Sequence, residues 1–87
     1  MNIKLSLRFQ KSFHKLNISV QEKALSRLQL FHDTFGRDPR LKVHKLHGKQ
    51  KAEWAFSVNY SLRITFIFIE PEEILCTDIG THDELYT

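Results

Sequence analysis

W-A-F-S-V-N-Y-S-L-R-I-T-F-I-F, residues 54–68, is the stretch whose reading decides the fold. Trp54, Phe56, Val58 and Tyr60 alternate with Ala55, Ser57 and Asn59, and Leu62, Ile64, Phe66 and Phe68 repeat the pattern. Strict alternation marks two half-buried strands. Because successive side chains point to opposite faces, the two apolar sets share one side of a sheet only in certain registers. Pairing Phe56 with Phe66 and Val58 with Ile64 satisfies this condition. It sets Ser57 against Thr65 and Asn59 against Arg63, and it requires an odd-numbered loop at Tyr60-Ser61-Leu62 rather than a two-residue turn. The outer face of the hairpin is then polar where Arg63 emerges. Ile67 and Ile69 make its far end apolar, which predicts a cover there.

Working outward, Leu41 and Val43 open a strand that ends near Gly48, with Lys42 and His44 outward, a bend at Lys45-Leu46, and His47 in the following loop. Downstream, Glu70-Pro71-Glu72-Glu73 reads as a turn and Ile74 to Ile79 as a last strand. T-H-D-E (81–84) is a capping box: Thr81 caps a final helical turn and Glu84 reaches back to it. That turn puts His82 and Tyr86 on one face and directs Leu85 to the core. At the other end, Ile3, Leu5, Leu7 and Phe9 alternate as a strand, and Phe9, Phe13 and Leu16 then switch to helical spacing. S-V-Q-E (19–22) predicts the start of a second helix. Its inner stripe is Val20, Ala24, Leu28, Phe31 and Phe35, its wet face Glu22, Lys23, Arg27 and Gln29, and Gly36 stops it. The expected fold class is α+β, an N-terminal strand and helical hairpin packed on a curved, mainly antiparallel sheet.

Eighty-seven residues predict one domain, 1–87. Hydrophobic residues make up 41%, seven of them Phe, which supplies one efficient core for a chain this short. A lone cysteine, Cys76, forms no internal disulfide and fits a reducing cytoplasm. The longest apolar run, Ile64 to Ile69, is too short to span a bilayer, and the N-terminus reads as a strand, not a signal peptide. The expected setting is cytoplasmic, with no membrane partner.

Net charge is +3, and its distribution is uneven. Arg37 to Lys51 holds six Lys or Arg against one acid, Asp38, whereas from Glu70 onward there are six acids and no cation. Such a block suits phosphate or an acidic partner, and a solvated face is an equal reading. Arg63 stands alone as the one cation after Lys51. Either its fork clamps a phosphate, or it pairs with Asp78 or Asp83. His44, His47 and His82 are candidates for proton transfer near neutral pH, set against the commoner role of a hydrogen-bonded surface histidine. In a regular strand His44 and His47 point to opposite faces, so one of them at most reaches a given site. No ligand set for a metal is apparent, and no cofactor is implied. Trp54 and its neighbours read as core; Tyr86 is a stacking candidate or packs on the sheet.

H-K-L-H-G (44–48), W-A-F-S-V-N (54–59), L-R-I-T-F-I-F (62–68) and D-I-G-T-H-D-E-L-Y (78–86), taken in order, resemble the RelE/ParE toxin superfamily. The likeness is nearest to the YafQ-like and RelE/StbE-type toxins of bacterial toxin–antitoxin pairs. The order of the N-terminal strand and two helices agrees, so the resemblance covers essentially the whole chain. It implies a ribosome-dependent endonuclease that cuts mRNA in the decoding site, with ribosomal RNA as a second contact and a cognate antitoxin as partner. By motif position, His44 resembles a proton-transfer histidine and Arg63 the arginine that stabilises the scissile phosphate. His82 resembles the C-terminal catalytic histidine, and Tyr86 the aromatic that orients the substrate. His44 is then the base and His82 the acid, or the reverse. Lys42, Lys45, Lys49 and Lys51, with His47, are expected to hold RNA. The chain departs from the pattern on the central strands, where Ser57 and Asn59 stand and YafQ-like members carry a further histidine and an aspartate. It also ends at Thr87, short of the C-terminal helix of some relatives. The alternative is a ParE-like toxin that poisons DNA gyrase without hydrolysing anything; a binding module that keeps only the fold is a third reading.

Overall fold

The computed structural model describes residues 1–48 and 52–86, with the backbone but not the side chain of Tyr86. The chain runs β1 (Asn2–Leu5), α1 (Leu7–His14), α2 (Ile18–Thr34), a 3-10 turn (Pro39–Leu41), β2 (His44–Lys45), β3 (Trp54–Ser57), β4 (Leu62–Glu70), β5 (Glu73–Thr81) and α3 (His82–Tyr86). The sheet order is β1-β5-β4-β3-β2; β1 runs parallel to β5 and every other pair is antiparallel. The expected α+β class, a helical hairpin on a mainly antiparallel sheet, is what the chain adopts.

Local capping chemistry sets where the elements begin, and twice it moves the expected boundary. Ser6 ends β1: its Oγ accepts from the Phe9 N–H at 3.0 Å and donates to the Thr77 carbonyl at 2.9 Å. Leu7 and Phe9 therefore belong to α1, not to the strand, and Leu7 stands 75% exposed while Phe9 is buried. A Ser at this point offers the backbone a cap that apolar alternation does not reveal. The second helix starts at Asn17, whose Oδ1 accepts from the Val20 N–H at 3.0 Å and from the Ser19 hydroxyl at 2.8 Å. The expected Ser19–Glu22 box does not form, because Asn is at least as good a cap and lies two residues nearer the first helix. Ala24, Leu28 and Phe31 are buried as the stripe predicted. Phe35 is not part of that stripe: at φ 54° it takes the left-handed cap, and its ring is carried outward. Gly36 follows at φ 73°, and a Cβ there would lie 2.8 Å from the Phe31 ring, so glycine is required for both conformation and space.

Asp38 caps the next turn by accepting from the Arg40 N–H at 2.9 Å, with Pro39 at its first position. Lys42 then turns left-handed at φ 50°. This turn chemistry replaces the strand expected from Leu41 and Val43, leaving β2 only His44–Lys45. Leu46 turns in and is buried.

The central hairpin keeps the expected parity but slides by two residues. Trp54 pairs with Phe66, Phe56 with Ile64 and Ser57 with Arg63. Three residues, Asn59-Tyr60-Ser61, form the loop, closed by the Val58 N–H on the Leu62 carbonyl at 2.9 Å. Asn59 explains the slide. Its Oδ1 accepts from the N–H groups of Ser61 at 3.0 Å and Leu62 at 2.8 Å, tightening the turn around itself. Tyr60, read as core, is thereby lifted to the tip and is 97% exposed. At the other end Phe68, read as core, is 45% exposed. Of the outer pair Ile67 is half-buried and Ile69 45% exposed, so the described residues cover that end only in part. Register shifts between Thr65 and Phe66 and between Phe68 and Glu70 twist that end of the sheet.

The core lies between the helices and one face of the sheet. Phe31 of α2 meets Phe56 at 5.0 Å and Phe66 edge-on at 5.2 Å. Phe9, Leu41, Ile64, Ile74 and Cys76 complete it. Burial pushes the Cys76 thiol up to about 12 from its ordinary 9.0. The folded chain thus favours the protonated thiol, and this contribution to stability is lost as pH rises from 9 towards 12. At pH 8 the native protein is expected to resist a thiol reagent until it is denatured, at a rate that follows global unfolding; prompt labelling of the native protein would contradict this packing.

Candidate functional site

The β3–β4 turn organises the site. Arg63 lies one residue past it, and its Nη1 donates to the carbonyls of Asn59 at 2.8 Å, Tyr60 at 3.1 Å and Leu62 at 3.2 Å. One nitrogen is thus pinned to the turn, while Nε and Nη2 have no hydrogen-bond partner among the described residues. Arg63 forms no ion pair with Asp78 or Asp83; Asp78 is held by Arg8 Nε at 3.1 Å and by the Ser12 hydroxyl at 2.6 Å. A pinned guanidinium with two nitrogens left over is a preset donor pair for an oxyanion.

Around Arg63 lies a hollow of about 350 Å³, lined by Arg27 of α2, Arg40, Lys42, Ser57, Val58, Asn59 and Tyr60. Four cations and no carboxylate face it. Arg40 is oriented from behind by Asp38, which accepts from Nε at 3.0 Å and Nη2 at 2.9 Å. The side-chain bonds from Arg40, and next its backbone N–H, hold the Asp38 carboxyl at about 2, so the pair stays ionised throughout the physiological range. Of the four cations, Arg63 and Lys42 were assigned from sequence. Arg40 was counted only as part of the basic block, and Arg27 only as a wet-face residue of α2. Their convergence is tertiary, and spacing carried no sign of it.

A second hollow is opposite in character. Arg8, Glu53, Thr65, Thr77, Asp78, Glu84 and Leu85 line it, three carboxylates against one arginine. Its groups already satisfy one another: the Thr77 hydroxyl donates to Glu53 at 2.7 Å and sits 2.8 Å from the Thr65 hydroxyl. Electrostatics favours the Arg63 hollow for a phosphate.

His44 shares a face with Arg63. It pairs with Ala55, two residues along β3 from Ser57, which pairs with Arg63. Ladder spacings put the two Cα atoms roughly 12 Å apart. The His44 Nδ1 lies 2.9 Å from the Lys42 carbonyl. A carbonyl can only accept, so Nδ1 carries the hydrogen and Nε2 of the neutral ring is left as the basic atom. His82 opens α3, two residues after Gly80, the partner of Arg63 in β5. The capping box forms as the sequence predicts: the Thr81 N–H donates to Glu84 Oε1 at 2.8 Å and the Glu84 N–H to Thr81 Oγ1 at 3.3 Å. Gly80 allows α3 to fold back, because a Cβ there would meet Glu84 at 3.1 Å. The His82 side chain is exposed, with Nδ1 3.7 Å from Asp83.

The structure therefore gathers Arg63 with Lys42, Arg40 and Arg27, and places His44 and His82 outside the lining of that hollow. Lys45 and His47 are exposed near β2. Lys49 and Lys51 lie outside the described residues, as does the side chain of Tyr86. No described helix is long and apolar enough to cross a membrane.

No family model matches the chain, and no curated protein matches it. Solved structures do. A copper-bound mutant toxin from Helicobacter pylori is 24% identical, with a TM-score of 0.74 over 98% of each chain. A YoeB/ParE toxin from Agrobacterium tumefaciens is 13% identical, with a TM-score of 0.74 over 94% of this chain and 99% of that one. The E. coli DinJ-YafQ toxin-antitoxin complex matches at 16% identity and a TM-score of 0.69, over 99% of this chain and 97% of that one. At these identities the likeness is one of architecture: this chain has the fold of the RelE/ParE-type toxins.

Proposed function

We propose that this chain, as one domain of residues 1–87, is the toxin of a type II toxin–antitoxin pair, an endoribonuclease that cuts mRNA in the ribosomal decoding site. The observation that carries the reading is the cation-lined hollow around Arg63, with two guanidinium nitrogens left for a phosphate. The shared fold supports the toxin role, and the DinJ-YafQ complex supports a cognate antitoxin as partner.

The chemistry needs no group beyond side chains. The ribose 2′-oxygen attacks the adjacent phosphorus, the bond from phosphorus to the 5′-oxygen breaks, and a cyclic phosphate and a 5′-hydroxyl result. In this reading Arg63 stabilises the charge that builds on the phosphoryl oxygens. Nε2 of His44 takes the 2′-hydroxyl proton and His82 protonates the departing oxygen, or the two exchange roles. Neither imidazole lines the hollow, so the reading requires a bound strand to reach from Arg63 to both. Tyr86 orients the substrate, and Lys42, Lys45, His47, Lys49 and Lys51 hold RNA phosphates.

The position of the two imidazoles outside the hollow favours one competing reading, a ParE-like gyrase poison without nuclease activity. Mapping transcript ends in a translating extract after brief induction separates the two. Cuts lost in His82→Ala and Arg63→Ala, with melting behaviour retained, support the nuclease. Uncut transcripts, with toxicity accompanied by DNA damage, support gyrase poisoning.

A further inference from the structure

We propose that Tyr60 is a base-stacking platform, and that the cations beside it form one track for single-stranded RNA, with Arg27 and Arg40 holding phosphates beyond the one at Arg63. The inference deepens the reading above, on which it rests for the choice of RNA.

Tyr60 is the most exposed large hydrophobic side chain described, at 97%. Its ring therefore contributes almost nothing to the core. Its backbone, by contrast, is firmly held. Asn59 Oδ1 accepts from Ser61 and Leu62 on one side of the turn, and Arg63 Nη1 donates to the Tyr60 carbonyl itself at 3.1 Å. The aromatic platform and the phosphate clamp are thus tied together by one hydrogen bond.

The remaining lining suits the rest of a nucleotide strand. Arg27, Arg40 and Lys42 continue the cations from Arg63 onto α2, and no carboxylate lines the hollow itself. Asp38 lies beside Arg40 and Arg27, and Asp33 on the adjoining surface of α2. Ser57 and Asn59 add neutral polar groups. Asp38 engages Nε and Nη2 of Arg40 and leaves Nη1 without a hydrogen bond among the described residues, so Arg40 is oriented but still able to donate. A groove of cations beside an exposed aromatic is the arrangement by which proteins hold single strands: charge tracks the backbone and the ring takes a base. A purely acidic peptide, such as poly-glutamate, would satisfy the cations equally well but offers no flat π-face to the ring, whereas every base does. Tyr60 is what favours RNA.

Fluorescence anisotropy on the full chain tests this, using a short single-stranded RNA with 2′-O-methyl ribose throughout, which can be bound but not cut. A poly-glutamate peptide serves as the comparison ligand. Tyr60→Ala is expected to weaken RNA binding about tenfold, as loss of one stacked base does. Tyr60→Phe is expected to retain binding, and the peptide to be indifferent to both variants. Arg27→Gln and Arg40→Gln are each expected to lower the slope of log affinity against log salt by about 0.7, the value for one single-strand phosphate contact. Tyr60 is at a solvent-exposed tip, so its variants are expected to fold, and thermal melting confirms it. RNA binding that Tyr60→Ala leaves unchanged overturns the inference, as does an equal loss of peptide binding. Transcripts uncut in the translating extract, with Tyr60-dependent binding intact, would remove the nuclease and leave this track standing. Transcripts cut as expected, with binding indifferent to Tyr60, would remove the track alone.

Discussion

Arg63→Ala is expected to lower transcript cutting by about two to three orders of magnitude, the loss seen when one preorganised donor to a developing oxyanion is removed. Two properties of Arg63 make the effect large. One nitrogen of its fork, Nη1, is held by three backbone carbonyls, so the guanidinium is already oriented when a phosphate arrives. It also stands opposite Ser57, with a small side chain, and Gly80, with none, which leaves it room. Arg63→Lys is expected to recover only a small part of the activity. An ammonium keeps the charge but lacks a rigid fork that can grip the turn and a phosphate together. Cutting rates are to be read beside thermal melts, since the three bonds to the turn also contribute to stability. Cutting by Arg63→Ala at the wild-type rate, on folded protein, would show that the hollow does not hold the scissile phosphate.

The second large effect belongs to the core. Phe31→Ala is expected to cost about 3–5 kcal/mol, the range for truncating a buried aromatic. Phe31 is 1% exposed and wedges between Phe56 and Phe66, so its removal leaves a cavity that three elements would have to collapse into. Folded proteins are stable by only about 5–15 kcal/mol in all. At about 4–8 °C per kcal/mol for a domain of this size, the melting temperature is expected to fall by at least about 12 °C. Phe35→Ala, four residues on, is expected to cost only about 1 kcal/mol, because that ring already lies nearly half in water. Equal effects at the two positions would mean that the left-handed turn at Phe35 does not carry its ring out of the core.

The contrast between Phe31 and Phe35 shows where periodicity stops being informative. Helical spacing put both on one stripe, and only the backbone reversal at Phe35 and Gly36 separates them. Tyr60 repeats the lesson in the sheet. Alternation placed it with Phe56 and Val58, but the side chain of Asn59 drew the turn one residue earlier and put Tyr60 at the tip. Capping residues decide such points through one or two hydrogen bonds. Their competition is short-range, and apolar spacing does not register it. Ser6 and Asn17 moved helix starts in the same way.

From the sequence alone followed the α+β class, the buried faces of α2, β3 and β4, the turn at Pro71 and the reciprocal bonds of Thr81 and Glu84. Each rests on residue spacing or on partners within four positions, so the chain itself contains the geometry. Tertiary structure alone decided the two-residue slide of the central hairpin and the meeting of Arg27, Arg40, Lys42 and Arg63. It also left His44 and His82 out of the lining of that hollow. Strand alternation has a period of two, so a slide by two preserves every buried face and pattern cannot detect it. Charges brought together from a helix, a capped turn and a strand depend on how those elements pack, and no interval along the chain encodes that distance.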